Sequence, residues 1–409
     1  MRKLEVRLDW GDEQVVVGTL AEQDRRVYFE YDSALLATPL PISPFKLPVK
    51  PGLFEHTERE FAHVFGVFND SLPDGWGLLL MDREFKKRGF NPATRSIIDR
   101  LAYIGTRGMG ALTYHPPTAA DEEEELWMDL DALARQAERI LEGSAENVLP
   151  ALRIAGGSPA GARPKLLVGV RGDGHLISGT ADLPEGYRHY LIKFPSKEDA
   201  PDIGAVEAAY ALMAAQAGIE VPPTRLFETG DGGRYFGAER FDRAGNRRLH
   251  MHSLSGLLHA SHRLPSLEYD GLLKATMLLT KDQRQTEEAF RRMVFNVLAH
   301  NRDDHVKNFS YLMDRSGAWA LAPAYDLVFS DGPGGQHSMA VSGEAVRPTT
   351  QDMLRVAEEC DVDLRRARAI MQQVSGAVEN WPQFARETDV GRTTERRIGK
   401  VIAVRTIRL

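Results

Sequence analysis

Apolar and charged residues alternate from the start of the chain. Leu4, Val6 and Leu8 fall between Lys3, Glu5, Arg7 and Asp9, a period of two that predicts a half-buried strand. Gly11-Asp12 supplies a turn before a second strand at Val15-Val16-Val17. The proline-rich stretch 39–51 reads as extended connection, and Ser71-Leu72-Pro73-Asp74-Gly75-Trp76-Gly77 as a turn opening a helix through Met81 and Phe85. No catalytic constellation is visible in this part. It reads as a small mixed domain that braces something or binds a partner. The acidic run 118–125 is read as linker and first turn of a helix carrying Leu126, Leu130, Leu133, Ala137 and Ile140, which sets a domain boundary near residue 118.

Next comes Gly156-Gly157-Ser158-Pro159-Ala160-Gly161-Ala162-Arg163-Pro164-Lys165, leading into the strand pattern Leu166-Leu167-Val168-Gly169-Val170. Small residues there let backbone N–H groups approach a phosphate, although the same composition also makes ordinary loops. Gly172-Asp173-Gly174 turns a hairpin. Tyr190-Leu191-Ile192-Lys193-Phe194-Pro195 reads as a buried strand holding one lysine, and the helix that follows, about 203–217, carries Glu207 in its first turns. A strand at Arg234-Tyr235-Phe236-Gly237-Ala238 leads into Glu239-Arg240-Phe241-Asp242-Arg243, where the chain should cross between two lobes. From about His250 the composition turns helical. Over 285–299, Phe290, Met293, Val294, Val297 and Leu298 recur at helical spacing on one face. A Gly-rich loop at 331–335 and helices from 351 to about 380 complete the pattern. The expected division is 1–118, 119–245 and 246–409.

A chain of 409 residues exceeds one ordinary core. Its formal charge of −7 argues against general affinity for nucleic acid. Cys360 is the single cysteine, which excludes an intrachain disulfide and suits a reducing compartment. Met1-Arg2-Lys3-Leu4-Glu5 lacks the apolar core of a secretion signal, and no apolar run approaches the roughly 20 residues that span a bilayer. The expectation is a cytoplasmic protein without a membrane segment.

Ionisable residues are densest directly after the 285–299 helix. Ala299-His300-Asn301-Arg302-Asp303-Asp304-His305-Val306-Lys307-Asn308-Phe309-Ser310 packs two carboxylates, two imidazoles, a lysine, an arginine and two amides into one loop, and Asp326 follows in Pro323-Ala324-Tyr325-Asp326. Such density near a core is costly unless it binds metal or moves protons. Phosphoryl transfer needs the phosphates held, their charge neutralised by Mg²⁺, and the acceptor hydroxyl aimed in line. Asp303 would accept the hydroxyl proton, Asn308 and Asp326 would offer hard oxygens to Mg²⁺, and Lys307 would offset charge on the transferring phosphate. His305 is expected either to bond Asp303 or Asp326 or to be structural. Asp304 is expected to face solvent and His300 to do no chemistry. Lys193 and Glu207 match the strand lysine and helix glutamate that hold the phosphates of ATP in kinases.

Asn301-Arg302-Asp303-x4-Asn308 resembles the protein-kinase catalytic loop with asparagine in place of its histidine. Asp303-Asp304-His305-Val306-Lys307-Asn308-Phe309-Ser310 with Pro323-Ala324-Tyr325-Asp326 more closely resembles the HipA family of toxin serine/threonine kinases. So do Ser158-x-Ala160-Gly161-Ala162-x-x-Lys165, Lys193 and Ala238-Glu239-Arg240-Phe241-Asp242-Arg243, while the Leu72-Pro73-Asp74-Gly75 turn looks like that family's N-terminal subdomain. The resemblance implies an α+β, bilobal protein-kinase-like fold with a β-rich N-lobe, a helical C-lobe and an added mixed α/β N-terminal subdomain. It implies Asp303 as catalytic aspartate and Asn308 and Asp326 as Mg²⁺ ligands. Lys193 would hold ATP phosphates, Glu239 and Phe241 would contact adenine, and Ser158 would be autophosphorylated. It further implies a small helix-turn-helix antitoxin that binds operator DNA, so that this chain meets DNA only indirectly, and a protein substrate such as an aminoacyl-tRNA synthetase. One departure is Asp304, where the better-known members have glycine; its charge is expected to perturb Asp303 or the Mg²⁺ stoichiometry. Pro159 and Pro164 are expected to stiffen the phosphate loop. Two rival readings are a metal-dependent hydrolase built on His300, Asp303, Asp304 and His305, and an inactive kinase-fold scaffold or co-repressor.

Overall fold

The computed structural model describes residues 2–58, 61–118, 128–143, 152, 161, 163–230, 232–264 and 266–404. The N-terminal part is a five-stranded antiparallel sheet in the order β4-β3-β2-β1-β5, formed by β1 (Arg2–Asp9), β2 (Gln14–Gln23), β3 (Arg26–Tyr31), β4 (Leu53–Glu55) and β5 (Leu112–His115). The alternation in β1 is that of the sequence: Leu4, Val6 and Leu8 are buried against Leu20, Phe29 and Phe68. Between β4 and β5 lie a single helical turn at Gly66–Asn69 and two longer helices, α1 (Gly75–Lys87) and α2 (Ile97–Ile104), the latter opened by a capping box between Ser96 and Asp99.

After α3 (Leu130–Leu141) comes a second five-stranded antiparallel sheet, β7-β6-β8-β10-β9. It comprises β6 (Lys165–Arg171), β7 (Leu176–Ser178), β8 (Tyr187–Lys193), β9 (Thr224–Glu228) and β10 (Arg234–Glu239), with α4 (Ile203–Gln216) between β8 and β9. The Gly172-Asp173-Gly174 turn joins β6 to β7, with Gly174 at φ +90° where a side chain would be strained. Trp76 and Leu80 of α1 are buried in one cluster with Leu166, Val168 and Ile192 of this sheet. The first part of the chain therefore shares part of its core with the second.

A two-stranded hairpin, β11 (Arg243–Ala244) and β12 (Arg247–Arg248), straddles the expected boundary at 245. The helical reading from His250 onward needs correction. β13 (His250–Ser253) pairs with β14 (Ser310–Met313), which pairs with β15 (Trp319–Leu321). These partners lie some sixty residues apart, so local composition could not reveal them. The helical body consists of α5 (Tyr269–Thr280), α6 (Gln283–Leu298), α7 (Thr350–Glu359), α8 (Leu364–Glu379), α9 (Trp381–Glu387) and α10 (Arg392–Ala403). Phe290, Met293, Val294 and Val297 of α6 meet Ala209, Tyr210 and Met213 of α4 and Ile370, Met371 and Val374 of α8. Helix α4 thus belongs to both lobes, buried against the helical core while following the strand that bears Lys193.

The N-terminal part docks on the rest through buried polar contacts. Asp70 accepts bonds from His252 Nδ1 at 2.7 Å, Ser253 N at 2.7 Å and Ser253 Oγ at 2.6 Å. A Cβ on Gly66 would stand 2.0 Å from the carbonyl oxygen of Gly256, so backbone meets backbone there and only glycine fits.

Candidate active site

Four segments remote in sequence meet in the cleft between the second sheet and the helical body. Lys165 and Lys193 are cross-strand partners on β6 and β8. Lys193 Nζ donates to Glu207 Oε2 on α4 at 2.8 Å and also ion-pairs with Asp326. The other Glu207 oxygen accepts from Arg163 Nη1 at 2.8 Å, and Arg163 Nη2 reaches Asp199 Oδ1 at 2.7 Å. Glu207 is almost wholly buried, so two cations are what make its ionised form tolerable there.

The electrostatics follow from this packing. Burial by itself disfavours the Lys193 ammonium, but the Asp326 and Glu207 carboxylates outweigh it and raise its pKa. Burial would likewise raise Asp326, yet Lys193 and Lys165 hold it well below the usual carboxylate range. Lys165 moves the other way: burial depresses its pKa further than Asp326 restores it, and Lys193 adds repulsion. The cleft thus holds an ionised Asp326 between Lys193 and Lys165.

Helix α6 ends at Leu298, and His300 turns the chain with φ +55°. Asn301 then bridges in parallel to Ser330, while Arg302 bonds the carbonyls of Gly335 and, at 2.6 Å, Val346. These contacts fix the loop on which Asp303 projects into the cleft. The Asp303 side chain is half-exposed; partial desolvation in the cleft raises its pKa, His305 opposes the rise, and the charge of Asp326 adds to it. The Asn308 amide donates to the Asp303 carbonyl at 2.7 Å, which leaves its Oδ1 as the end available to a cation. Lys307 Nζ pairs with Asp74 Oδ2 at 2.8 Å. Tyr325 O–H donates to the Lys307 carbonyl at 2.7 Å, and its ring stacks on Phe241 with centroids 5.4 Å apart. Tyr325 thereby ties the catalytic loop, the inter-lobe crossover and the neighbouring Asp326 together.

Several expectations change. Asp304 does not face solvent: it is buried and accepts from Tyr269 O–H at 2.6 Å, Ser338 N at 2.7 Å and His337 Nδ1 at 2.8 Å. Its charge is spent on a buried network, and of the charges acting on Asp303 it is a minor one. His305 Nε2 lies 3.9 Å from Asp303 Oδ1, beyond hydrogen-bond range, and its ring instead meets His262 edge-on at 5.9 Å. His300 bonds Asp331 at 2.9 Å and stacks on Phe329. His300 and Asp304 are thus turned away from Asp303 and His305, and no group of three metal-ligating side chains occurs among the described residues. Glu239 ends β10 paired with Arg188 at 3.3 Å. Ser158, Ala160 and Ala162 lie outside the described residues; Gly161 is inside them, with φ +108°.

Three residues escaped the sequence reading. Asp74 comes from the region credited with no chemistry, and its carboxylate bonds Lys307 and the Gly161 N–H; Lys307 and that bond hold its pKa low against the effect of burial. Arg163 and Tyr325 stood beside residues that were singled out and drew no attention of their own. Asp326 and Asn308 form an all-oxygen donor pair, few in number and hard, which fits Mg²⁺. Asp326 and Asn308 would hold the ion and Lys193 would face the phosphates beside it.

A model of the HipA-like C-terminal domain matches residues 157–381, and a model of the HipA N-terminal domain matches residues 10–115. A curated "putative kinase" of Haemophilus influenzae is 27% identical over 187 residues, 42% of this chain and 52% of that protein. A "putative kinase Y4dM" of Sinorhizobium fredii is 27% identical over 156 residues, 34% of this chain and 37% of that protein. The chain thus spans about half, or less, of the length of these relatives. A chain of the Shewanella oneidensis MR-1 toxin–antitoxin complex of HipA, HipB and operator DNA superposes with a TM-score of 0.71, covering 98% of this chain and 95% of that one at 18% identity. At that identity the likeness speaks for the fold, which is α+β, bilobal and kinase-like.

Proposed function

Because the chain belongs to the HipA family, we propose that it is an ATP- and Mg²⁺-dependent serine/threonine protein kinase and the toxin of a toxin–antitoxin pair. The observation that carries the reading is Lys193, whose ammonium meets both Glu207 and Asp326. A lysine so placed is charged and fixed, and Glu207 is itself braced by Arg163. In the absence of nucleotide Asp326 serves as its counter-charge. Asp326 would hold the Mg²⁺ of Mg·ATP, and Lys193 would pair with the α/β-phosphates.

Mg²⁺, when bound, supplies neutralisation of the phosphate charge. The protein's own residues do the rest. Asp303 orients the acceptor hydroxyl and takes its proton, a task suited by its raised pKa. Lys307 faces the transferring phosphoryl group, and Phe241, stacked on Tyr325, offers a ring edge to the adenine with Glu239 nearby on the same crossover. The acceptor in cis would be Ser158. In trans the reading takes a translation component such as an aminoacyl-tRNA synthetase, met in the cytoplasm. A small helix-turn-helix antitoxin would neutralise the chain and carry it to operator DNA. No helix among the described residues is long and apolar enough to cross a membrane.

Incubation of the purified protein with [γ-³²P]ATP and Mg²⁺, alone and with a lysate, tests this. Wild-type protein should label Ser158 and at least one lysate protein, and Asp303→Asn should lower both by about 10²–10⁴. ATP binding without any transfer would favour the scaffold reading instead.

A further inference from the structure

Asp74 stands at the N-cap position of α1 with extended backbone, yet its carboxylate makes no cap bond. An aspartate there ordinarily accepts from the first amides of its own helix. This one is diverted across a domain interface. Oδ2 meets Lys307 Nζ at 2.8 Å, and Oδ1 accepts the Gly161 N–H. Two residues on, Trp76 N–H donates to the Gly161 carbonyl at 3.2 Å, so both sides of that residue are gripped by the start of α1. The Trp76 side chain is buried with Leu166 and Val168 of β6, which makes the grip rigid. Asp74 and Lys307 are themselves largely withdrawn, with side chains 24% and 13% exposed. Gly161 passes so close to Lys165 that a Cβ there would stand 2.3 Å from its Nζ.

We infer that Asp74 is a positioning residue: the N-terminal domain aims Lys307 at the transferring phosphate and ties Gly161 to the loop that carries Asp303. This role rests on the kinase reading above. A lysine side chain has four rotatable bonds, and a fixed carboxylate on the far side of its ammonium selects the rotamer that points into the cleft. Holding Gly161 with the same carboxylate couples that rotamer to the backbone at Gly161, beside Lys165.

Two variants separate the two bonds. Asp74→Asn keeps an oxygen for the Gly161 N–H and removes the charge facing Lys307; Asp74→Ala removes both. In Asp74→Asn, kcat should fall about 10–100-fold with KM for ATP changed less than about threefold, since positioning acts on turnover. Hydrogen exchange at Gly161 in the nucleotide-free protein should stay slow in Asp74→Asn and become fast in Asp74→Ala. Wild-type kcat in Asp74→Asn overturns the proposal. So does unchanged Gly161 exchange in Asp74→Ala, or a KM rise that accounts for the whole loss. Absence of transfer by the wild-type protein sinks the kinase reading and this role together, whereas normal wild-type transfer with undiminished Asp74→Asn turnover sinks only the role.

Discussion

Removing the Asp304 carboxylate should cost stability while sparing the active site. Its two oxygens receive three donors, Tyr269 O–H, Ser338 N–H and His337 Nδ1–H, and carboxylate and imidazole are both fully buried. Asp304→Ala leaves all three unsatisfied. Each orphaned buried donor costs about 1–3 kcal/mol, and release from the penalty of burying a charge offsets part of the sum, so a net loss of about 3–5 kcal/mol is expected. Against a typical total of about 5–15 kcal/mol that is severe. Asp304→Asn keeps the volume and one acceptor but turns an amide N–H₂ towards a donor, for about 1–2 kcal/mol. Thermal unfolding should therefore rank wild type above Asp304→Asn above Asp304→Ala. Mg·ATP affinity of folded Asp304→Asn, measured well below its midpoint, should stay within about threefold of wild type. An Asp304→Ala midpoint equal to wild type would refute the buried network. A large affinity loss in Asp304→Asn at unchanged stability would return this carboxylate to the nucleotide site.

The remaining predictions concern the base, the loop and the interface. Because partial desolvation and the nearby charge of Asp326 raise the Asp303 pKa, the acidic limb of phosphotransfer should lie above the ordinary carboxylate range, with the rate falling as pH drops through it. The same shift has a stability sign. Between the ordinary and the raised value the folded state binds more protons than the unfolded one, so stability declines as pH rises through that window. Asp303→Asn should abolish that decline, and an unfolding midpoint with the wild-type pH dependence would count against the assignment. Gly66→Val should loosen the N-terminal part from the helical body, lowering the unfolding midpoint and speeding limited proteolysis; a variant as resistant as wild type would show that the backbone approach at Gly256 is not needed.

Much of this site can be read without coordinates, for identifiable reasons. Lys193 stands out because an ammonium in Tyr190-Leu191-Ile192-Lys193-Phe194 demands a counter-ion, and Glu207 lies one helix turn into the next element. Helix α6 announces itself by its apolar face and delivers the loop that carries Asp303, and its observed span, Gln283–Leu298, departs from the 285–299 expectation by two residues at one end and one at the other. What could not be read is where a side chain turns once its backbone is placed. Asp303 and Asp304 are adjacent, and nothing local says that one faces the cleft while the other meets Tyr269 and His337, 35 residues before it and 33 after. Asp74 is further still, 233 positions from Lys307, and its turn motif reads as a helix start, which it also is. The departure from glycine at 304 drew attention as a threat to catalysis; tertiary packing converts it into a brace for the loop. The β13–β14 pairing was hidden for the same reason, because a strand four residues long is recognisable only beside its partner.

The claim on which the account stands is that Lys193, Glu207, Asp303 and Asp326 surround one nucleotide. Isothermal titration of Mg·ATP into wild-type protein and into Lys193→Met tests it most directly. Glu207 keeps Arg163 as a partner in that variant, so the fold should persist and circular dichroism should be unchanged. The account predicts a single site in the wild-type protein and an affinity at least about tenfold weaker in Lys193→Met, the loss of one charge-assisted phosphate contact. Equal affinity in the two proteins would contradict it.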